Sequence, residues 1–183
     1  MKWENYKNNM KGALDSFEFD ETILGVLRHA RKFGKSVYIA GNGGSAAVAT
    51  HFACDLNKCS YKDWKSEKNR FRAFSLNSDT SYITAIANDE SYADIFVEQL
   101  KNYSKPGDVL VLISSSGNSP NVVKAAKWAV NNGLETICLT GFKGGKLKEI
   151  CKHTGYVAIE DYGLSEDIHC IFTHYISTVF RGE

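Results

Sequence analysis

No apolar run in the 183-residue sequence approaches the roughly 20 residues that a membrane-spanning helix needs. The first six residues, MKWENY, lack the apolar core of a signal peptide. An excess of basic residues is also absent, because the formal net charge is +1. These properties give no argument for a membrane or a nucleic-acid partner, and we expect the protein to work in the cytoplasm.

The five cysteines include no CxxC pair. Cys54 and Cys59 lie five residues apart, which is poor spacing for a metal site, so most of the cysteines are expected to be reduced thiols. No repeat, linker or low-complexity tract divides the chain, and its 43% hydrophobic and 23% charged residues are ordinary for a globular protein. We therefore expect one domain over residues 1–183.

Short apolar segments alternate with helical patterns along the chain. Strands are predicted at residues 36–40, 71–76, 109–113, 135–140 and 156–159. Helices are predicted at 4–16, 20–33, 46–56, from 80 behind an Asp79 cap, and at 92–103, 122–130, 144–151 and 165–180. The polar segment 57–69, with Lys58, Lys62, Lys65 and Lys68, is expected to be exposed. The alternation predicts an α/β fold, a three-layer αβα sandwich with a central parallel sheet and extra N-terminal helices.

Four hydroxyl side chains follow the predicted strand at 109–113 and precede a predicted helix. They belong to Ser114, Ser115, Ser116 and Ser119. Hydroxyls and free backbone N–H groups at a helix N-terminus suit an anion, most readily a phosphate. The loop has no lysine and does not fit the nucleotide P-loop pattern, so it predicts a pocket for the phosphate of a small molecule.

A second loop, residues 41–45 with the sequence GNGGS, follows the predicted strand at 36–40. Its three glycines allow the backbone to approach a ligand closely. Ligands of open α/β sheets bind beyond the carboxyl ends of the strands. We therefore expect the glycine loop (41–45) and the serine loop (114–119) to lie at the same sheet edge and to form one site.

Titratable side chains lie on the helices nearest to this edge. His51 and Asp55 are one helical turn apart, so they can bind a metal together, act as an acid–base pair or form an exposed ion pair. Glu166 and His174 are eight residues apart, about 12 Å along a regular helix. One straight helix cannot bring both to one ion. Either one of them precedes the helix, or they serve different sites, including sites in different subunits.

Asn88-Asp89 follows a helical segment that starts behind Asp79. The pair is interpreted either as a contact to sugar hydroxyls or as the end of that helix.

These motifs together resemble the SIS (sugar isomerase) domains, which have a flavodoxin-like fold, and within them the phosphoheptose isomerases. The matching segments are residues 41–47, 51–53, 78–81, 88–89, 106–110, 113–121, 139–141 and 144–147. They span nearly the whole chain with compatible spacing.

The resemblance implies an aldose–ketose isomerase that converts sedoheptulose 7-phosphate to D-glycero-D-manno-heptose 7-phosphate through an enediol, in bacterial heptose biosynthesis for lipopolysaccharide or capsule. It implies a homotetramer with active sites between subunits, in which residues 1–33 form a helical arm that packs in the oligomer. The four serines would hold the phosphate. The sugar would be contacted by Asn42, Gly43, Gly44, Ser45, Asn88, Asp89 and Glu166.

The resemblance also implies a zinc site made of His51, Asp55, Glu166 and His174, with Asp55 as general base and His174 as acid. This chain departs from the family at two of these positions, where relatives usually have glutamate instead of Asp55 and glutamine instead of Glu166. An arginine common in the family is replaced by Cys59. If Asp55 is a permanent metal ligand it is a poorer base, and Glu166 becomes the alternative.

Two other functions stay open at this stage. One is isomerisation of a different ketose phosphate, which the same loops would serve. The other is a non-catalytic SIS protein, either a sugar-phosphate sensor or an interaction protein like the DnaA-binding initiator-associating tetramers, which need no acid–base pair. The retained His51 and His174 favour an enzyme.

Overall fold

A computed structural model describes residues 2–63, 65 and 69–183. The strands of this part of the chain are β1 (Phe17–Phe19), β2 (Ser36–Gly41), β3 (Arg72–Ser75), β4 (Val109–Ser114), β5 (Glu135–Thr140) and β6 (His153–Val157). The helices are α1 (Trp3–Asp15), α2 (Thr22–Phe33), α3 (Gly44–Lys58), α4 (Thr80–Asp89), α5 (Val97–Tyr103), α6 (Pro120–Asn131), α7 (Gly145–Ile150) and α8 (Tyr162–Gly182). A 3-10 turn at Tyr92–Asp94 precedes α5.

The sheet has the strand order β1-β6-β5-β4-β2-β3. Every pairing from β6 to β3 is parallel. Without β1, the five parallel strands in chain order follow the 2-1-3-4-5 arrangement of flavodoxin-like folds, whose ligands bind where the strand order reverses. That point lies between β2 and β4. The predicted α/β sandwich is therefore confirmed.

Two apolar layers cover the sheet because neighbouring side chains of a strand point to opposite faces. On β2, Val37 and Ile39 pack under helices α2, α3 and α8, whereas Tyr38 and Ala40 pack under α5, α6 and α7. The strands that are buried on both faces read as continuous apolar runs, which is why β4 and β5 are found at or within one residue of their predicted positions.

The β1 strand was not predicted. It is a three-residue edge strand, Phe17-Glu18-Phe19, that pairs antiparallel with β6. Its phenylalanines pack on Phe172 of α8, with ring centroids 4.9 and 4.8 Å away. Residues 17–33 are thus part of the core fold. Within the predicted arm, α1 lies on the outside and is tied to α8 by Tyr6, whose hydroxyl donates to Asp167 Oδ2 at 2.9 Å.

The element ends differ from prediction by a few residues: β6 lies at 153–157 and not 156–159, and the helix predicted over 92–103 is a 3-10 turn at 92–94 followed by α5 from Val97. Asp79 does cap α4, because its Oδ1 accepts a bond from the Tyr82 amide at 3.0 Å. The segment 57–69 is not uniformly exposed: Ser60 and Tyr61 are buried. Lys68 lies outside the described residues. Among the residues that are described, no helix has both the length and the apolar character needed to cross a membrane.

Candidate active site

The glycine loop and the serine loop meet at one edge of the sheet. β2 and β4 are parallel neighbours, and Gly41 pairs in register with Ile113, so both strands deliver their loops to the same place. Gly41 is needed for this approach, because a Cβ atom there would lie 2.7 Å from the Ser45 carbonyl group and 2.9 Å from the Ile113 oxygen. The predicted convergence of the two loops is confirmed.

A cavity of about 260 Å³ opens between the two loops. Its lining residues are Asn42, Gly43, Ser45, Ser114, Ser115, Ser116, Ser119, Tyr162 and Glu166. We refer to it as the loop cavity. Its walls combine hydroxyl groups, backbone N–H groups at the start of α3 and one carboxylate, so it can take an anionic group at one end and hydroxyl groups at the other. At the start of α6, Pro120 has no N–H and the Val122 and Val123 amides donate to Asn121 Oδ1 and the Ser119 carbonyl, so the N–H groups expected there are largely occupied.

The serine loop turns sharply at Gly117, which has a positive φ of 64°. The Gly117 amide donates to the Ser114 carbonyl at 3.0 Å and lies 3.2 Å from the Ser114 hydroxyl. The buried Ser115 hydroxyl has no hydrogen-bond partner among the described residues. A buried hydroxyl without a partner is costly, which is consistent with a ligand atom completing its bonding.

Glu166 reaches the cavity from the second turn of α8 and lies against Gly44. A Cβ atom on Gly44 would be 2.5 Å from the Glu166 carboxyl carbon. The glycine therefore leaves the space that the carboxylate occupies. Gly44 acts on the site through this contact and does not itself line the cavity.

Two residues that the sequence analysis missed tie the loops together. The side-chain amides of Asn42 and Asn121 bond each other reciprocally at 2.9 and 2.8 Å. The Tyr92 hydroxyl also donates to Asn42 Oδ1, at 3.1 Å. Asn121 is buried, and its position at the start of α6 is the one sequence signal that could have identified it.

The histidine cluster lies where α3 and α8 pack side by side. His51 Nε2 is 3.4 Å from Asp55 Oδ1, and His174 Nε2 is 3.6 Å from Asp55 Oδ2. The two Nε2 atoms are 3.3 Å apart. Both carboxylate oxygens of the buried Asp55 therefore face imidazoles.

Cys170 joins this cluster and was not predicted. Potential ligand atoms of His51, Cys170 and His174 all lie within 4.8 Å of one another, which makes a His/Cys/His group able to hold a metal ion. Burial, together with the charges of Asp167 and Asp55, raises the pKa of the Cys170 thiol. The signal that could have found Cys170 is its position one helical turn before His174.

Glu166 and the histidine cluster do not meet within one chain. Both Glu166 and His174 lie inside the continuous helix α8, so eight residues separate them by about 12 Å. The alternative in which one of them precedes the helix is excluded. Of the four predicted metal ligands, the chain brings three together and places the fourth in the loop cavity.

Asn88 and Asp89 are exposed at the end of α4, where the Asn88 side-chain amide donates to Asp89 Oδ1 at 2.8 Å. Neither residue lines the loop cavity. A larger cavity, about 680 Å³, lies along β3 and α5 between Tyr38, Phe74 and Tyr103. None of its lining residues belongs to the glycine loop or the serine loop.

His169 is fully buried on α8, one turn after Ser165, which packs on Gly141 beside the serine loop. Neither of its ring nitrogens has a hydrogen-bond partner among the described residues. Burial lowers the pKa of His169 to about 4, so the ring is neutral at physiological pH.

Comparison with known proteins places this arrangement in a family. The family model of the SIS domain matches residues 21–141. The phosphoheptose isomerase of Aliarcobacter butzleri is 40% identical over 83% of this chain and 78% of that protein. The phosphoheptose isomerase of Campylobacter concisus is 37% identical over 96% of this chain and 97% of that protein. The chain belongs to the phosphoheptose isomerase family of SIS domains.

This SIS domain also resembles a solved family member in three dimensions. The structure of the phosphoheptose isomerase from Neisseria gonorrhoeae has a TM-score of 0.78 and 28% identity, and the alignment covers 98% of this chain and 93% of that chain. The family resemblance drawn from the motifs is therefore confirmed for nearly the full length of the described chain.

Proposed function

We propose that the protein is an aldose–ketose isomerase that converts sedoheptulose 7-phosphate to D-glycero-D-manno-heptose 7-phosphate in heptose biosynthesis. The observation that carries the proposal is one cavity that combines four serines suited to a phosphate with the carboxylate of Glu166. The family membership supports the reaction class. The five free cysteines agree with a reducing compartment, and we place the enzyme in the cytoplasm.

The serine loop anchors the substrate. Hydroxyls of Ser116 and Ser119 bind the phosphate oxygens, and Ser115 gains the partner that it otherwise lacks. A fixed phosphate places the sugar chain across the cavity towards Gly43 and Glu166. Positioning of this kind supplies much of the rate enhancement of an isomerase.

Glu166 moves the proton in this proposal. Its carboxylate removes a proton from C1 of the ketose while the C2 carbonyl oxygen takes up a proton, which gives the enediol. The Glu166 carboxylic acid then returns the proton to C2 as the O1 hydroxyl loses its proton, and the aldose forms. A general base of this kind is worth about 10²–10⁴ in rate.

The geometry favours Glu166 over Asp55 as the base. Both oxygens of Asp55 face the imidazoles of His51 and His174, and its side chain is only 8% exposed. A carboxylate in this position is suited to bind a metal ion and poorly placed to reach C1.

The histidine cluster fits zinc in its donor set and its spacing. Donor atoms about 2.0–2.1 Å from a tetrahedral zinc ion are roughly 3.3–3.4 Å apart. The separations of 3.3, 3.4 and 3.6 Å between the nitrogen and oxygen atoms of His51, Asp55 and His174 are close to this. When bound, the ion would hold His51, Asp55 and His174 in one arrangement.

We further propose that the cluster of one chain serves the loop cavity of another, in a homotetramer. His51 and His174 are half-exposed, although they would be expected to be sheltered in a working site. An open depression of about 710 Å³ covers the outer face of α3 beside them. It is lined by Ala46, Ala47, Thr50, His51, Cys54 and Asn77, and such small residues suit close packing against a second copy.

The deciding experiment is incubation of the purified protein with sedoheptulose 7-phosphate in deuterated water, followed by proton NMR. We expect anomeric signals of an aldose 7-phosphate, with deuterium at C2 to the extent that Glu166 exchanges its proton with solvent. The Glu166→Gln variant keeps the size of the side chain and should lose at least about 100-fold in kcat.

Three other outcomes of these experiments would change the proposed function or the proposed base. Turnover of a different ketose phosphate alone would change the substrate and keep the mechanism. Binding of the sugar phosphate without turnover, with or without added zinc, would favour a sensor. If the Asp55→Asn variant is inactive while the Glu166→Gln variant is unimpaired, Asp55 is the general base.

A further inference from the structure

Two pairs of metal-binding side chains face each other across the contact between α3 and α8. On α3, His51 and Asp55 are one turn apart, and on α8, Cys170 and His174 have the same spacing. Residues at this spacing share one helix face. Two helices that each present such a pair can supply four ligands to one ion, as in the metal sites of helical bundles.

The thiol and the carboxylate approach the same two imidazoles. Asp55 lies 3.4 and 3.6 Å from the two Nε2 atoms, and the donor atoms of Cys170, His51 and His174 lie within 4.8 Å of one another. In a tetrahedral zinc site with a thiolate, the zinc–sulfur distance is about 2.3 Å, which is longer than the zinc–nitrogen and zinc–oxygen distances. The sulfur atom therefore lies further from the other donor atoms than those atoms lie from one another.

Within the chain, Glu166 cannot take the fourth position. It lies about 12 Å along α8 from His174, by helix rise, and its carboxylate packs on Gly44. Among the residues that the structure describes, Cys170 is the remaining side chain with a donor atom beside both histidines.

We propose that the metal site of this protein is formed by His51, Asp55, Cys170 and His174 of one chain, with the Cys170 thiolate as the fourth ligand. The inference rests on the proposed function for the presence of a metal and goes beyond it in the ligand set. One thiolate, two imidazoles and one carboxylate saturate a tetrahedral ion, which leaves Glu166 free to act as the base. The thiolate also selects for zinc and cobalt over magnesium and calcium.

The test uses cobalt as a spectroscopic substitute for zinc in the full-length, metal-stripped protein. Stoichiometric Co²⁺ should produce the visible bands of a tetrahedral ion together with a thiolate-to-cobalt charge-transfer band in the near ultraviolet. The Cys170→Ser variant should keep the tetrahedral or five-coordinate visible bands and lose the charge-transfer band. Its Kd for zinc should rise at least roughly tenfold, since even outer partners of metal ligands are worth 10–100-fold.

Two matched controls separate Cys170 from the other thiols near the cluster. Cys54 is exposed on α3 and Cys59 ends that helix, so Cys54→Ser and Cys59→Ser should both keep the charge-transfer band. Thermal unfolding and circular dichroism of the metal-free variants confirm that each is folded. A Cys170→Ala variant provides a second measurement if the serine side chain itself binds the ion.

The cobalt spectrum tests the ligand set and the isomerase assay tests the proposed function, so one proposal can be refuted while the other stands. The ligand set is wrong if the charge-transfer band persists in both Cys170 variants. It is also wrong if the wild-type protein binds cobalt without showing this band. A protein that binds no cobalt would overturn the metal site as a whole. Glu166→Gln should keep the full spectrum while turnover is lost, so an inactive wild-type protein with the band refutes the isomerase and leaves the site standing.

Discussion

At the scale of single residues, Gly44 and Glu166 are matched in shape. Gly44 begins α3 with an ordinary negative φ, so the backbone would accept any residue there. The space above it is taken by the Glu166 carboxylate. The absence of a side chain at position 44 therefore serves the loop cavity and is not needed by the helix.

We predict that Gly44→Ala lowers activity without lowering stability. The new Cβ atom would lie 2.5 Å from the Glu166 carboxyl carbon, and this flexible side chain would turn away from the cavity. kcat should fall by at least about tenfold if Glu166 is the general base. The melting temperature should be unchanged or slightly raised, because alanine is a better helix former than glycine. Steady-state kinetics and thermal melting measure the two effects.

The double variant Gly44→Ala with Glu166→Gln supplies the control. If Gly44 acts through Glu166, the alanine should have little further effect once the carboxylate is gone. Additive losses of activity would instead show that Gly44 contacts the substrate by itself.

His169 is expected to make the fold sensitive to mild acid. Its pKa is about 4 in the folded chain and has an ordinary value of 6.5 when unfolded. Between these pH values the unfolded chain binds the proton and the folded chain does not, so stability falls as the pH decreases. One group with this shift contributes a loss of about 3 kcal/mol between pH 7 and pH 4.

The measurement is urea unfolding of wild type and His169→Leu over that pH range. Leucine has a similar volume and carries no titrating group, so the comparison isolates the titration of the imidazole. The difference in unfolding free energy between the two proteins should shift by about 3 kcal/mol in favour of the variant at low pH. A difference that stays constant with pH would show that His169 is not buried in its neutral form. The Asp20 and Glu135 carboxyls, whose pKa values are lowered, are common to both proteins and cancel.

The sequence predicted which residues follow the strands at the edge of the sheet. It did not predict the side-chain contacts that other site residues make between distant elements. The serines and glycines of the two loops stand directly after apolar strands, so their convergence followed from sheet topology. Cys170 and Asn121 act through side chains on other elements, Cys170 beside His51 and Asn121 bonded to Asn42. Contacts between distant elements depend on helix packing, which local patterns do not specify.

At the scale of elements, the serine loop is held against α7. The Leu147 amide donates to the Gly117 carbonyl at 3.0 Å, and the Lys146 amide donates to Asn118 Oδ1 at 3.1 Å. Gly117 has positive φ, and a Cβ atom there would lie 2.8 Å from the Gly144 carbonyl carbon. Backbone therefore packs on backbone, and neither side can give way as a flexible side chain would.

Gly117→Ala should consequently damage the phosphate pocket as well as the fold. The positive φ alone costs an alanine about 1–2 kcal/mol, and the contact with Gly144 adds to it. KM for the sugar phosphate should rise more than kcat falls if, as we propose, the loop binds the phosphate and Glu166 transfers the proton. Gly25→Ala is the matched control, since its Cβ atom on exposed α2 meets nothing within 4 Å and should be neutral or stabilising. Equal effects of the two substitutions on KM would contradict the packed loop.

Element boundaries show what local signals can resolve. The buried strands β2 and β4 were placed within one residue of their ends, because their apolar runs stop at glycine or serine. β1 was missed because three residues with two phenylalanines are too few to show a strand period between two helices. Its stability comes from pairing with β6 and from packing on α8, both distant in sequence.

At the scale of the whole molecule, the loop cavity and the histidine cluster are exposed at different places on one chain. Glu166 and the serine loop line the loop cavity, while the histidine cluster lies further along α3 and α8. Next to Cys170 and His174 in sequence, Ile171 and Tyr175 of α8 are each 44% exposed, so the surface beside the cluster has exposed apolar side chains. A second copy that covers this surface would bury it and bring its own loop cavity to the cluster.

Complementation between two inactive variants tests whether the site is shared between chains. Glu166→Ala removes the base from the loop cavity, and His174→Ala removes a ligand from the cluster, so each variant alone should be inactive. Co-expressed in equal amounts, they should recover about a quarter of wild-type activity, because half of the chains keep Glu166 and half of their neighbours keep His174. Separately purified variants that are mixed without dissociation control for trace wild-type protein and should stay inactive. If the co-expressed mixture is as inactive as its parents although both chains assemble, the site belongs to one chain, and α8 must then bend to bring Glu166 and His174 together.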